Sequence, residues 1–180
     1  GRIGDRLATT ALIESLNDKE VEVRRAAAQA LGWIGAEGAV EPLRAALVDP
    51  DPAMRGRAAE ALGRIGAKSL GPAIAEAFRR AVPKAPGGVL RIRGDDPGRA
   101  DDPWIELRLQ LIALARLKDA DSLAGAVIGS ENYPFVDWWV CVWAASQVGD
   151  PKLTPILLAG AAAEDSYIRS LAARGLGALK

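Results

Sequence analysis

Few side chains in this 180-residue chain could do chemistry, and most of those are carboxylates. Asp95, Asp96, Asp101 and Asp102 fall close together and could offer hard oxygen ligands to Ca²⁺. They lack the EF-hand spacing and its closing glutamate, so a solvated acidic loop is the better reading. Histidine is absent, which removes the commonest general base, the commonest neutral metal ligand and the usual activator of a serine nucleophile. The lone thiol, Cys141, cannot build a multi-cysteine zinc site. Lysines are few and scattered, and no glycine-rich phosphate loop is visible. Arg93-Gly94-Asp95 spells an adhesion tripeptide, too short to carry information. These residues predict no catalytic constellation, no metal and no cofactor, so the chain reads as something other than an enzyme.

Composition narrows the classes further. Twenty-three Lys+Arg balance 23 Asp+Glu, and net neutrality argues against generic binding to nucleic acid or an anionic membrane. With 49% hydrophobic and 26% charged residues the chain is globular, of a length that suits one domain. One cysteine excludes an intrachain disulfide and fits a cytoplasmic protein. No apolar run reaches the roughly 20 residues of a membrane span, and no signal peptide is visible.

The elements that must position these residues repeat. Gly1-Arg2-Ile3-Gly4 recurs as Gly32-Trp33-Ile34-Gly35 and as Gly63-Arg64-Ile65-Gly66, at steps of 31 residues. The endings at Gly149 and Lys180 keep that step, and Lys118 closes a similar stretch 31 before Gly149. Only the gap from Gly66 to Lys118 is longer, by 21 residues. The expected division is 5–35, 36–66, 67–118 with an insertion at about 82–103, 119–149 and 150–180, with 1–4 as the tail of a preceding repeat, all in one domain. Each repeat reads as two helices. In the second, Asp51 is the expected N-cap, Pro52 the first helical residue and Gly66 the left-handed stop. No segment alternates as a strand does, so the fold class is all-α.

Counting back from each terminal position defines the inward face of the second helix. One back are Ile34, Ile65, Leu117, Val148 and Leu179; four back are Leu31, Leu62, Leu114, Ala145 and Leu176. Five back are Ala30, Ala61, Ala113, Ala144 and Gly175, small enough for helices to approach closely. Eight back are Ala27, Ala58, Gln110, Cys141 and Ala172, so Cys141 takes an alanine's place in the core. An isolated hairpin cannot cover such a face, and stacked neighbours must.

The run Val23-Arg24-Arg25-Ala26-Ala27-Ala28-Gln29-Ala30-Leu31-Gly32-Trp33-Ile34-Gly35, followed by Ala39-Val40-Glu41-Pro42-Leu43, resembles HEAT repeats. The short period and the Ala-Leu-Gly-x-Ile-Gly ending are most similar to the phycobilisome-lyase HEAT-like subclass. The resemblance implies a right-handed α-solenoid of about five hairpins, with the second helix of each lining a concave side. It also implies that Asp18 with Arg24, and Asp49 with Arg55, form a stacking ladder. Leu107 and Trp138 stand at the corresponding arginine positions of repeats three and four, where the ladder should break.

The function expected is a non-catalytic scaffold that binds a partner protein through the concave surface of the second helices. The alternatives are a subunit of a bilin-lyase-like enzyme and a HEAT-like nucleic-acid binder, the latter using a sparse stripe of Arg64, Arg108, Arg116 and Arg174 interrupted by Glu60. Trp139 and Trp143 fall on the side of their helix opposite the core, beside Ile112 and with Arg108, Arg116 and Arg174 as a cationic rim, and this is the expected partner site. Trp33 and Trp104 read as packing residues. The insertion, rich in Pro and Gly, reads as a long loop in which Val89-Leu90-Arg91-Ile92-Arg93 forms an extended piece, even one arm of a hairpin. Neither end carries a polar cap, which predicts continuation into a longer solenoid or end-to-end pairing with another chain.

Overall fold

The structure, a computed structural model, describes residues 2–83, 90–92, 102–129 and 131–179, with side chains from Leu7 onward. Asp95, Asp96, Asp101 and the Arg93-Gly94-Asp95 tripeptide lie outside the described residues. Among the described residues ten α-helices form five pairs in an all-α solenoid. They are α1 (Arg2–Ser15) with α2 (Val21–Ile34), α3 (Val40–Ala45) with α4 (Pro52–Ile65), α5 (Gly71–Ala81) with α6 (Ile105–Leu117), α7 (Ala120–Val127) with α8 (Trp139–Val148), and α9 (Thr154–Ala161) with α10 (Ser166–Ala178). The second helices stack in order, α2 on α4, α4 on α6, α6 on α8 and α8 on α10. Among the described residues, no helix is long and apolar enough to cross a membrane.

Local chemistry sets the helix ends. Asp51 caps α4 by accepting from the Met54 N–H at 2.7 Å, and Pro52, which has no N–H to leave unpaired, opens it. Gly35, Gly66 and Gly149 close α2, α4 and α8 with φ of 69°, 83° and 71°. A side chain is strained in that left-handed region, so glycine recurs there. In repeat three Lys118 takes that region at φ of 55°, and α10 ends at Leu179 in an extended conformation.

The second helices touch backbone to backbone. A Cβ added at Gly32 would meet the Ala61 Cα at 2.7 Å, and one at Gly63 the Ala113 Cα at 2.7 Å. The small residues of one second helix therefore receive the glycine of the second helix before it. Leu31, Leu62 and Leu114 are fully buried below these contacts, as are Ala27, Ala58, Gln110, Cys141 and Ala172. Ile34 departs from expectation, being 51% exposed where its counterpart Leu117 is buried. Among the described residues α2 has a second helix stacked on one side only, whereas α6 is enclosed between α4 and α8.

One short strand pair sits beside the helices. Strand β1 (Leu90–Arg91), within the insertion, pairs in parallel with β2 (Val136–Asp137), the segment leading into α8. The Leu90 N–H donates to the Phe135 carbonyl at 2.6 Å and the Ile92 N–H to that of Asp137 at 3.3 Å. The extended piece therefore pairs with the next repeat. Ile92 and Val136 are buried by this pairing.

Candidate functional site

The ladder residues are joined differently from the expected pairing. Arg24 reaches the carbonyl of Asp18, not its carboxylate, at 3.0 Å, and that of Lys19 at 3.3 Å. Its fork then spans to the next repeat, meeting Asp49 with Nε–Oδ2 at 3.0 Å and Nη2–Oδ1 at 3.2 Å. Arg55 repeats the pattern, donating to the carbonyls of Asp49 and Pro50 at 2.8 and 3.1 Å. Its carboxylate partner is not Asp49 but Glu106, on α6. Asp18 and Asp49 each accept instead from the N–H two residues on, that of Glu20 and that of Asp51, both at 2.8 Å. Each rung thus pins a turn and ties it to the following repeat. Leu107 and Trp138, where arginines are missing, are buried apolar side chains. Arg169 recovers only the carbonyl half of the motif, at Ala163 and Glu164.

A second set of arginines converges on the solvent side of α4. Glu60, only 8% exposed, accepts from Arg57 at 3.1 Å, Arg64 at 2.9 Å and Arg116, one helix further on, at 3.3 Å. Burial pushes the Glu60 carboxyl up, but the three guanidiniums outweigh it and hold it below the ordinary glutamate value. Glu60 therefore holds Arg64 and Arg116, two of the four arginines of the expected stripe, together with Arg57. Arg64 also lies against Trp33, its Cζ 6.0 Å from the ring centroid, within cation–π range. Trp33 was expected to be a packing residue and is 67% exposed. Its row, two before the repeat end, holds Arg64, Arg116, Gln147 and Ala178, three of them polar and none large and apolar. An open hollow of about 580 Å³ lies between Trp33, Arg64 and Arg116, with Gly32 and Gly63 as its floor.

The residues expected to make one exposed aromatic patch do not stand together in that way. Trp139 and Trp143 are half-buried and pack against the core. The Trp139 ring meets Trp138 edge-on, with centroids 6.4 Å apart, and Tyr167 at 6.3 Å. It lines a groove of about 690 Å³ at the loop edge of α8 and α10, together with Tyr167, Ile156, Asp137 and Arg91. Trp143, one turn along, does not line that groove. Arg108 is not on an exposed rim: it is 7% exposed and pairs with buried Asp102 at 2.6 Å. Asp102, one of the four carboxylates considered for Ca²⁺, is committed to Arg108. Ile112 is half-buried, whereas Arg116 and Arg174 are exposed. Trp104 packs against the core as expected.

Cys141 is fully buried, and loss of solvation, with Asp137 adding to it, pushes its thiol well above the ordinary range. A thiol held neutral in this way is a poor nucleophile. Among the described residues no three His, Cys, Asp or Glu side chains gather as a metal site would require.

The family model described as HEAT repeats matches residues 8–93. No curated protein matches the chain. Among solved structures, human deoxyhypusine hydroxylase in complex with glycerol is 16% identical over 95% of this chain and 84% of that chain, with a TM-score of 0.37. A likeness that distant carries no argument about activity.

Proposed function

We propose that this chain, whose residues 8–93 match HEAT repeats, is a non-catalytic scaffold that binds a partner protein on the solvent side of its second helices. The observation that supports this most is Trp33, an indole two-thirds in water, lying beside arginines already fixed by Glu60. Tryptophan and arginine dominate interaction hot spots because they combine large area with charge, and a fixed fork loses little entropy on binding. The row of Glu60, six positions before the repeat end, continues through half-buried Ile112 and Trp143 to exposed Arg174. Within HEAT repeats, the 31-residue period and the Ala-Leu-Gly-x-Ile-Gly ending support the phycobilisome-lyase-like subclass, as a statement about repeat type and not about lyase activity.

Site-specific photo-cross-linking tests the reading. A benzophenone amino acid at position 33 should cross-link one recurrent protein in cells. The same group at Leu158, exposed on the first helix of the last pair, should not. Equal yields from both positions, or none from position 33, would count against the scaffold.

A further inference from the structure

The chain is neutral, but its charge is segregated. Helices α2, α4, α6, α8 and α10 carry nine arginines and three glutamates, leaving 14 Lys+Arg against 20 Asp+Glu elsewhere. Five of the nine are committed to holding the fold. Arg24, Arg25, Arg55 and Arg108 meet carboxylates, and Arg169 meets backbone carbonyls. Arg57, Arg64 and Arg116 differ, because three guanidiniums share the single carboxylate of Glu60, and each keeps about a third of its side chain in solvent. The cluster has a local excess of two positive charges. Those guanidiniums are held from beneath, with further N–H groups in hand.

On this basis, and resting on the scaffold reading above, we infer that the surface of Trp33, Arg64 and Arg116 binds a short acidic segment of a protein partner. Carboxylates of the segment pair with Arg64 and Arg116, and an apolar or aromatic side chain lies on the Trp33 face. Three stacked helices span two interaxial spacings of about 8–10 Å, which an extended segment of about six residues covers. A nucleic acid fits less well. A long polyanion gains from many phosphate contacts, and beyond this cluster the remaining acidic excess repels it.

The test uses the full chain and a fluorescein-labelled peptide of about nine residues, all glutamate except a central phenylalanine, read by fluorescence anisotropy at low salt. Saturable binding that weakens with added salt is expected. Replacing both cations, Arg64→Gln with Arg116→Gln, should weaken it about tenfold, at the strength of two partly exposed charge contacts. Trp33→Ala should also weaken it, whereas Lys152→Gln, remote and paired with Asp121, should not. Circular dichroism of each variant should match the parent, because these side chains lie at the surface. The inference is overturned if the peptide does not saturate, if the double variant binds as the parent does, or if a thymidine oligonucleotide of equal length binds more tightly. Should cross-linking at position 33 persist while peptide binding fails, the scaffold stands and only its acidic specificity falls.

Discussion

Arg55 and Glu106 are 51 residues apart in sequence and meet in a bidentate pair, Nε–Oε1 at 2.7 Å and Nη2–Oε2 at 2.6 Å. The 21-residue insertion lies between them, and the carboxylate comes from the first turn of α6, not from the turn that supplies Asp49 to Arg24. Glu106 is 5% exposed, so the pair is shielded from solvent on one side. Its removal leaves a half-buried guanidinium fork with the carbonyls of Asp49 and Pro50.

Glu106→Ala is accordingly expected to cost about 2–3 kcal/mol, below the upper range for a fully buried pair because Arg55 keeps some solvent access. Arg24→Ala and Arg55→Ala should each cost more than a typical surface change, which stays within about 0.5 kcal/mol. Arg169→Ala, which loses carbonyl contacts only, should cost less than Arg55→Ala. Urea unfolding of the four variants measures the order. Equal midpoints for Arg55→Ala and Arg169→Ala would remove the inter-repeat rung as a source of stability.

Glycine-to-alanine exchanges should split in sign. At Gly63 the new methyl would sit 2.7 Å from the Ala113 Cα, a backbone atom that cannot yield without moving α6. The expected loss is about 1–3 kcal/mol, greater than the helix-propensity gain of about 1 kcal/mol. At Gly177, in the last turn of α10, the methyl meets open space, and a gain of about 0.5 kcal/mol is expected. Thermal melts of the two variants should move in opposite directions.

Tryptophan exchanges should separate core from surface. Trp139→Ala with Trp143→Ala removes two half-buried indoles, one of them in ring contact with Trp138 and Tyr167. A loss of about 3 kcal/mol or more is expected, so the pair cannot be probed for binding without loss of stability. Trp33→Ala should stay within about 1 kcal/mol. A double variant that melted with the parent would restore Trp139 and Trp143 as surface residues.

Glu60 gives stability an acid limb. Its pKa in the folded chain lies below the ordinary value of 4.5, so the folded state favours the ionised form. The contribution is complete above that value and fades as pH falls through the folded pKa, leaving three unneutralised guanidiniums together. Glu60→Gln should lower stability near neutrality and flatten its decline below about pH 4.5. Parallel acid limbs in the variant and the parent would argue against Glu60 as the shared partner of the three arginines.

Periodicity alone was enough to determine the helices, their pairing and the inward stripe through Leu31, Leu62 and Leu114. Those features follow from local hydrogen bonding, capping and a face that must leave water, and each repeat states them again. The glycine stops and the Asp51 cap were legible for the same reason: they act within a few residues. Tertiary structure decided the rest. Which carboxylate Arg24 and Arg55 meet depends on how far one helix pair is displaced on the next, and no spacing within a repeat records that. Glu106 was hidden by the 21 residues before it, and Arg108 was taken for a surface residue because its partner Asp102 lies in the insertion's last turn. Trp33 and Trp139 exchanged their expected environments. The exposure of an indole is set by which neighbours stack beside it, and α2 has one such flank open among the described residues while Trp139 faces Tyr167 of the following pair.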